Sequence, residues 1–144
     1  MIDEVHLESG KKTEIYRGQP GPGGLAVSPD GQRLAFYRGE GEISLVTLPR
    51  SGGDPSEVIR LGEAERSRPR SFLSWSPDGK HVIFSKRRNE LWRVRIDSRE
   101  QQKIHVTTAG HLLDAVVHPD GSQIAFTCLQ KGAERWELWV LENF

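Results

Sequence analysis

The sequence predicts an all-β chain assembled from repeated four-stranded antiparallel meanders. Three observations carry that prediction: a unit written three times, apolar–polar alternation on both sides of each unit's centre, and a further alternating segment after each copy. The copies are Leu25-Ala-Val-Ser-Pro-Asp-Gly-Gln-Arg-Leu-Ala-Phe36, Leu73-Ser-Trp-Ser-Pro-Asp-Gly-Lys-His-Val-Ile-Phe84 and Ala115-Val-Val-His-Pro-Asp-Gly-Ser-Gln-Ile-Ala-Phe126. They begin 48 and 42 residues apart and align without a gap. A period of this size marks a solenoid, propeller or array, in which a unit buries its apolar face only against its neighbours.

Taken in order, Ile2–Leu7 and Thr13–Arg17 read as third and fourth strands without a first and second. Gly21-Pro-Gly-Gly24 reads as a loop leading into a strand; a phosphate cradle is the weaker reading, since no helix follows it. Each repeat then opens with a hairpin. Pro-Asp-Gly between two alternating runs is a strong turn signal: proline presets φ, aspartate accepts from nearby backbone amides, and glycine takes the positive φ. The first arms are Leu25–Val27, Leu73–Trp75 and Ala115–Val117, and the second are Arg33–Phe36, His81–Phe84 and Gln123–Phe126.

Third strands follow at Glu42–Leu48, Glu90–Ile96 and Glu137–Leu141. In the middle one Trp92, Val94 and Ile96 share one face while Arg93 and Arg95 share the other, the period-two pattern of a half-buried strand. Fourth strands are expected at Glu57–Leu61 and Lys103–Thr107. The tally is two, four, four and three strands in a single domain, residues 1–144. Residues 1–18 hold closing strands, and repeats cover 23–62, 71–108 and 112–144.

Composition narrows the class. Twenty basic and 20 acidic side chains balance to zero net charge, which argues against general attraction to nucleic acid or membranes. No apolar run nears the roughly 20 residues of a membrane-spanning helix, and the charged start does not read as a signal peptide. Cys128 stands alone, so an internal disulfide and a cysteine-rich zinc site are excluded; it reads as a small structural side chain.

Trp75-Ser-Pro-Asp-Gly-Lys80, with Phe84 and then Leu91-Trp92, resembles the TolB-type, WD-like β-propeller repeat of bacterial proteins. The first copy departs from it with Val27 in place of tryptophan and Ser44-Leu45 in place of Leu-Trp. The third has Val117-His118 before its turn and keeps Leu138-Trp139. The resemblance implies β-propeller blades, about three of them, whereas rings typically hold four to eight. A partial ring is therefore expected, or half of a six-bladed homodimeric ring in which Thr13–Arg17 lies beside the partner's Glu137–Leu141. Glu137–Phe144 looks like the C-terminal blade of a longer propeller.

Proteins of this kind include periplasmic TolB-like proteins, sensor domains and peptidase caps. The implied function is a non-catalytic module that binds a protein or peptide. The alternative is the propeller cap of a prolyl-oligopeptidase-type serine peptidase whose catalytic domain lies outside the chain. The compartment follows the parent: periplasmic with a signal peptide, cytoplasmic without one.

Candidate chemistry is sparse. No Gly-x-Ser-x-Gly, His-Glu-x-x-His or phosphate loop is written in the chain, and neither a cofactor nor a metal is expected. Asp30-Gly31, Asp78-Gly79 and Asp120-Gly121 read as structural turn residues, because the three aspartates occupy the same turn position. His111 with Asp114 is the one pair with a ligand-facing reading, since it precedes a first strand, whose entrance faces a propeller's channel. His81 and His118 read as surface substitutions within the repeat. Arg66-Ser-Arg-Pro-Arg70 and Lys86-Arg-Arg88 read as solvated loops, for no aromatics are interleaved with them. Trp75, Trp92 and Trp139 hold repeat positions and read as packing between blades, leaving Trp136 the least constrained.

Overall fold

The computed structural model of the chain describes residues 1–18, 20–39, 42–62, 72–86, 89–106, 110–130, 132 and 135–142. Among these residues there are thirteen strands and no helix: β1 Ile2–Val5, β2 Lys12–Tyr16, β3 Pro20–Val27, β4 Arg33–Arg38, β5 Ile43–Pro49, β6 Ser56–Gly62, β7 Leu73–Trp75, β8 His81–Lys86, β9 Glu90–Arg95, β10 Gln101–Ile104, β11 His111–Val117, β12 Gln123–Leu129 and β13 Trp136–Glu142. They form four antiparallel sheets. A β1–β2 hairpin comes first, then the meanders β3-β4-β5-β6 (blade 1) and β7-β8-β9-β10 (blade 2), then the three-stranded β11-β12-β13 (blade 3).

Strand register explains how the blades stack. Phe36 pairs with Val46, Phe84 with Trp92 and Phe126 with Trp139. Residues directly opposite share a face and alternate with the other face, so every blade has one face bearing its phenylalanine and one facing away. The phenylalanine face of blade 2 (Trp75, Val82, Phe84, Val94) meets the far face of blade 1 (Ala35, Tyr37, Leu45, Ile59) in one core. Blade 3 repeats the arrangement, with Ala115, Val117, Ile124 and Phe126 against Ile83, Leu91 and Ile104 of blade 2. The hairpin does the same for blade 1 on a smaller scale, laying Ile2, Ile15 and Tyr16 over Leu34, Phe36, Val46 and Leu48. Tyr16 and Phe36 sit with ring centroids 5.1 Å apart.

Polar links reinforce the stack. The Arg33 guanidinium lies 5.1 Å from the Trp75 ring and donates to the Gly79 carbonyl at 2.9 Å. Trp75 Nε1 donates to the Ala26 carbonyl at 3.2 Å. First strands are spatial neighbours, β3 against β7 and β7 against β11.

The structure corrects four local expectations. Gly21–Gly24 belongs to β3 rather than a loop: the backbone stays beside β4, with an irregularity between Pro20 and Leu25. In the third strands, Leu45-Val46, not Ser44-Leu45, corresponds to Leu91-Trp92 and Leu138-Trp139. The connection before the third strand differs in length among copies, so a count along the chain loses the register. β10 starts at Gln101, ahead of the expected Lys103, because Gln101 and Gln102 pair with Val94 and Arg93. Thr107 lies outside the described residues, as do 66–70, 87, 88 and Phe144. Finally, β11 begins at His111, so the His111–Asp114 stretch lies within the first strand instead of preceding it.

Candidate functional site

The three Pro-Asp-Gly turns are built alike. The Gly31, Gly79 and Gly121 amides donate to the carbonyls of Ser28, Ser76 and His118 at 2.8–2.9 Å, and all three glycines have φ between 66° and 79°. In the first two turns the serine hydroxyl donates to the aspartate at 2.5 Å and accepts from the amide of Arg33 or His81 at 2.9 Å. The Asp30 and Asp78 carboxyls also accept from the amides of Gln32 and Lys80, both at 3.0 Å. These serine and backbone bonds hold both carboxyls below the usual carboxylate range.

Blade 3 has His118 where the others have serine, and Asp120 changes partners. It accepts from the Ser122 amide at 2.8 Å and hydroxyl at 2.7 Å, with His118 Nδ1 at 2.8 Å. The Ser122 amide bond leads in lowering its pKa from 3.8 to about 2. Each aspartate accepts these bonds through one carboxylate oxygen, Oδ1, and so ties the turn to the residue two places further on.

His111 and Asp114 are not brought together. Leu112 and Ala115 both face the core, and the register shifts between them. Asp114 sits in that irregularity, exposed; His111 is half-buried at the strand start. No hydrogen bond or ion pair joins the two among the described residues. Among the described residues, His111 Nδ1 and Thr127 Oγ1 are buried without a hydrogen-bond partner. No group of three His, Cys, Asp or Glu gathers as a metal site among the described residues.

The feature that sequence reasoning left unlocated is apolar surface at the two ends of the stack. Leu45 and Leu91 occupy the far face of the third strand in blades 1 and 2 and are 0% exposed; their equivalent in blade 3, Leu138, is 74% exposed. Val116, Trp136 and Val140 share that open face and are also exposed. At the other end, Leu73, Trp75, Ala115 and Val117 are buried on the phenylalanine faces of blades 2 and 3, while the equivalent Leu25 and Val27 of blade 1 are 53% and 57% exposed. With Ile2, Ile15 and Leu34 they line a groove of roughly 320 Å³. The hairpin covers β4 and β5 on this face and leaves Leu25 and Val27 of β3 open.

Tryptophan burial is not set by end position, for all three repeat tryptophans lie on phenylalanine faces turned toward a neighbouring blade. Trp75 is buried as expected, but Trp92 is only partly so, and Lys86 Nζ lies 4.7 Å from its ring centroid. Trp139 is exposed despite its repeat position. The repeat itself signals these end surfaces, since a row of stacked units always has two outer faces.

No protein-family model matches the chain. Over 149 aligned residues it is 33% identical to the Tol-Pal system protein TolB of Anaeromyxobacter sp. (strain K), covering 98% of this chain. The chain spans 28% of that curated relative's length. Among solved structures, TolB from Acinetobacter baumannii superposes with a TM-score of 0.79 at 17% identity, over 96% of this chain and 34% of that one. A putative TolB from Agrobacterium tumefaciens gives a TM-score of 0.74 at 22% identity, over 97% of this chain and 50% of its own. The structural likenesses establish the fold: an open set of propeller blades rather than a closed ring.

Proposed function

The chain is made of TolB-type β-propeller blades, and on that premise we propose that it is a non-catalytic module whose work is to bind a protein or peptide. The exposed apolar sheet faces at both ends of the stack carry the reading. Contiguous apolar surface of this kind marks an interaction site, and the same positions are buried wherever another blade stacks against them. The name of the relative, a Tol-Pal system protein, supports a protein partner.

The first partner is a second copy of the chain. Rings typically hold four to eight blades; one copy brings three and two bring six. A head-to-tail pair related by a two-fold axis lays the open far face of each blade 3 against the open phenylalanine face of the partner's blade 1. Both contacts are then equal and the ring closes.

Light scattering over a range of concentrations tests this. Wild-type protein is expected at twice the chain mass, with Leu138→Asp and Val27→Asp each reducing it to a single chain. A folded wild-type monomer at every concentration would overturn the second-copy assignment. The wider reading is checked separately: a binder captured on immobilised protein and then purified should lose affinity for the Leu138→Asp, Val27→Asp double variant. Unchanged affinity would count against these faces.

A further inference from the structure

Ring closure, on the reading just given, sets two strands against each other for one place. Each full blade runs from a first strand to a fourth, and β1 and β2 correspond to the third and fourth strands of a blade preceding blade 1. The partner's β11 and β12 fill the first and second places, over the exposed Leu25 and Val27. The partner's β13 then arrives at the third place, where β1 already sits.

The two contenders are unequal. β13 is seven residues long and every one pairs with β12, from Glu142 opposite Gln123 to Trp136 opposite Leu129. β1 has four residues and a register shift between Ile2 and Asp3, and its sheet is a lone hairpin, a marginal unit by itself. β13 also carries Leu138, whose equivalents Leu45 and Leu91 are wholly buried; β1 offers only Ile2 to the same core.

We propose that on dimerisation β13 of each copy displaces β1 of the other and pairs directly with β2. The shared blade then has four strands, β11, β12 and β13 from one chain and β2 from its partner. β1 is a placeholder that covers part of the blade 1 face while the chain is alone. The pairs Val46–Glu57 and Trp92–Lys103 of the complete blades map onto Trp139 and the partner's Glu14, since β2 skips Ile15 between Glu14 and Tyr16 as β6 skips Val58 between Glu57 and Ile59.

Two measurements on the full chain test the exchange. Glu4 pairs with Thr13 and also bonds Arg50, so Glu4→Pro loosens β1 from β2 and from blade 1. It should tighten the dimer roughly 2- to 10-fold, the equivalent of about one net hydrogen bond. The double variant Glu14→Cys, Trp139→Cys should form a disulfide-linked dimer under mild oxidation, and adding Val27→Asp should abolish the link. A dimer that depends on Leu138 and Val27 but is unaffected by Glu4→Pro and forms no link would overturn the exchange and leave the ring standing. A wild-type monomer would overturn both.

Discussion

Phe84 shows how one side chain can hold two blades. It is wholly buried between the far face of blade 1 and its own sheet. Phe84→Ala should cost about 3–5 kcal/mol, the range for emptying a packed aromatic site, read from chemical unfolding midpoints; a loss below about 1 kcal/mol would mean that the site collapses freely. Asp120 acts at the same scale by charge. Its pKa lies near 2 in the folded chain against an ordinary 3.8, so the unfolded chain binds the proton first as pH falls. The stability it contributes is complete above the ordinary value and is lost as pH drops through about 2. Between those limits the unfolding midpoint of wild-type protein should fall, and Asp120→Asn should show a shallower slope with lower stability near neutrality.

Among the elements, the hairpins were the most legible, because Pro-Asp-Gly fixes backbone, bonding and chain reversal within three residues. The connections to the third strands were not. Loop length there varies without a turn motif, and register is set by pairing alone, as the Leu45-Val46 equivalence shows. Gly110 marks a related constraint at the entrance to β11. A Cβ at that position would fall 2.3 Å from Cys128 Sγ and 2.5 Å from the Leu129 carbonyl oxygen, and a backbone oxygen in a paired strand cannot withdraw. Gly110→Ala should therefore destabilise by about 1–3 kcal/mol through overpacking, seen as a lower thermal midpoint with blade 3 the first segment to lose amide protection.

At the scale of the whole molecule, the arc presents two unlike apolar faces and, among the described residues, an outer edge of β13 with no strand beside it. Open edges and faces invite association, and the two faces here match as successive blades match inside the chain. Purified protein should consequently bind a hydrophobic dye at its ends as a single chain and lose that signal on dimerisation, in step with the light-scattering mass. The candidate functional surface was legible only as an expectation that three blades do not close. Its residues became visible once Leu138 was compared with Leu45 and Leu91. His111 and Asp114, the pair singled out by spacing, are parted by the strand irregularity between Leu112 and Ala115.

The sequence by itself determined the blade: its hairpin, its phenylalanine face and its number of copies, since those rest on local turn chemistry and period-two alternation. Only the tertiary structure decided which apolar residues are core and which are surface. Leu45, Leu91 and Leu138 hold the same place in the repeat, and burial depends on whether another sheet stands in front of them. That is a property of neighbours in space, and a residue's own flanking sequence does not carry it.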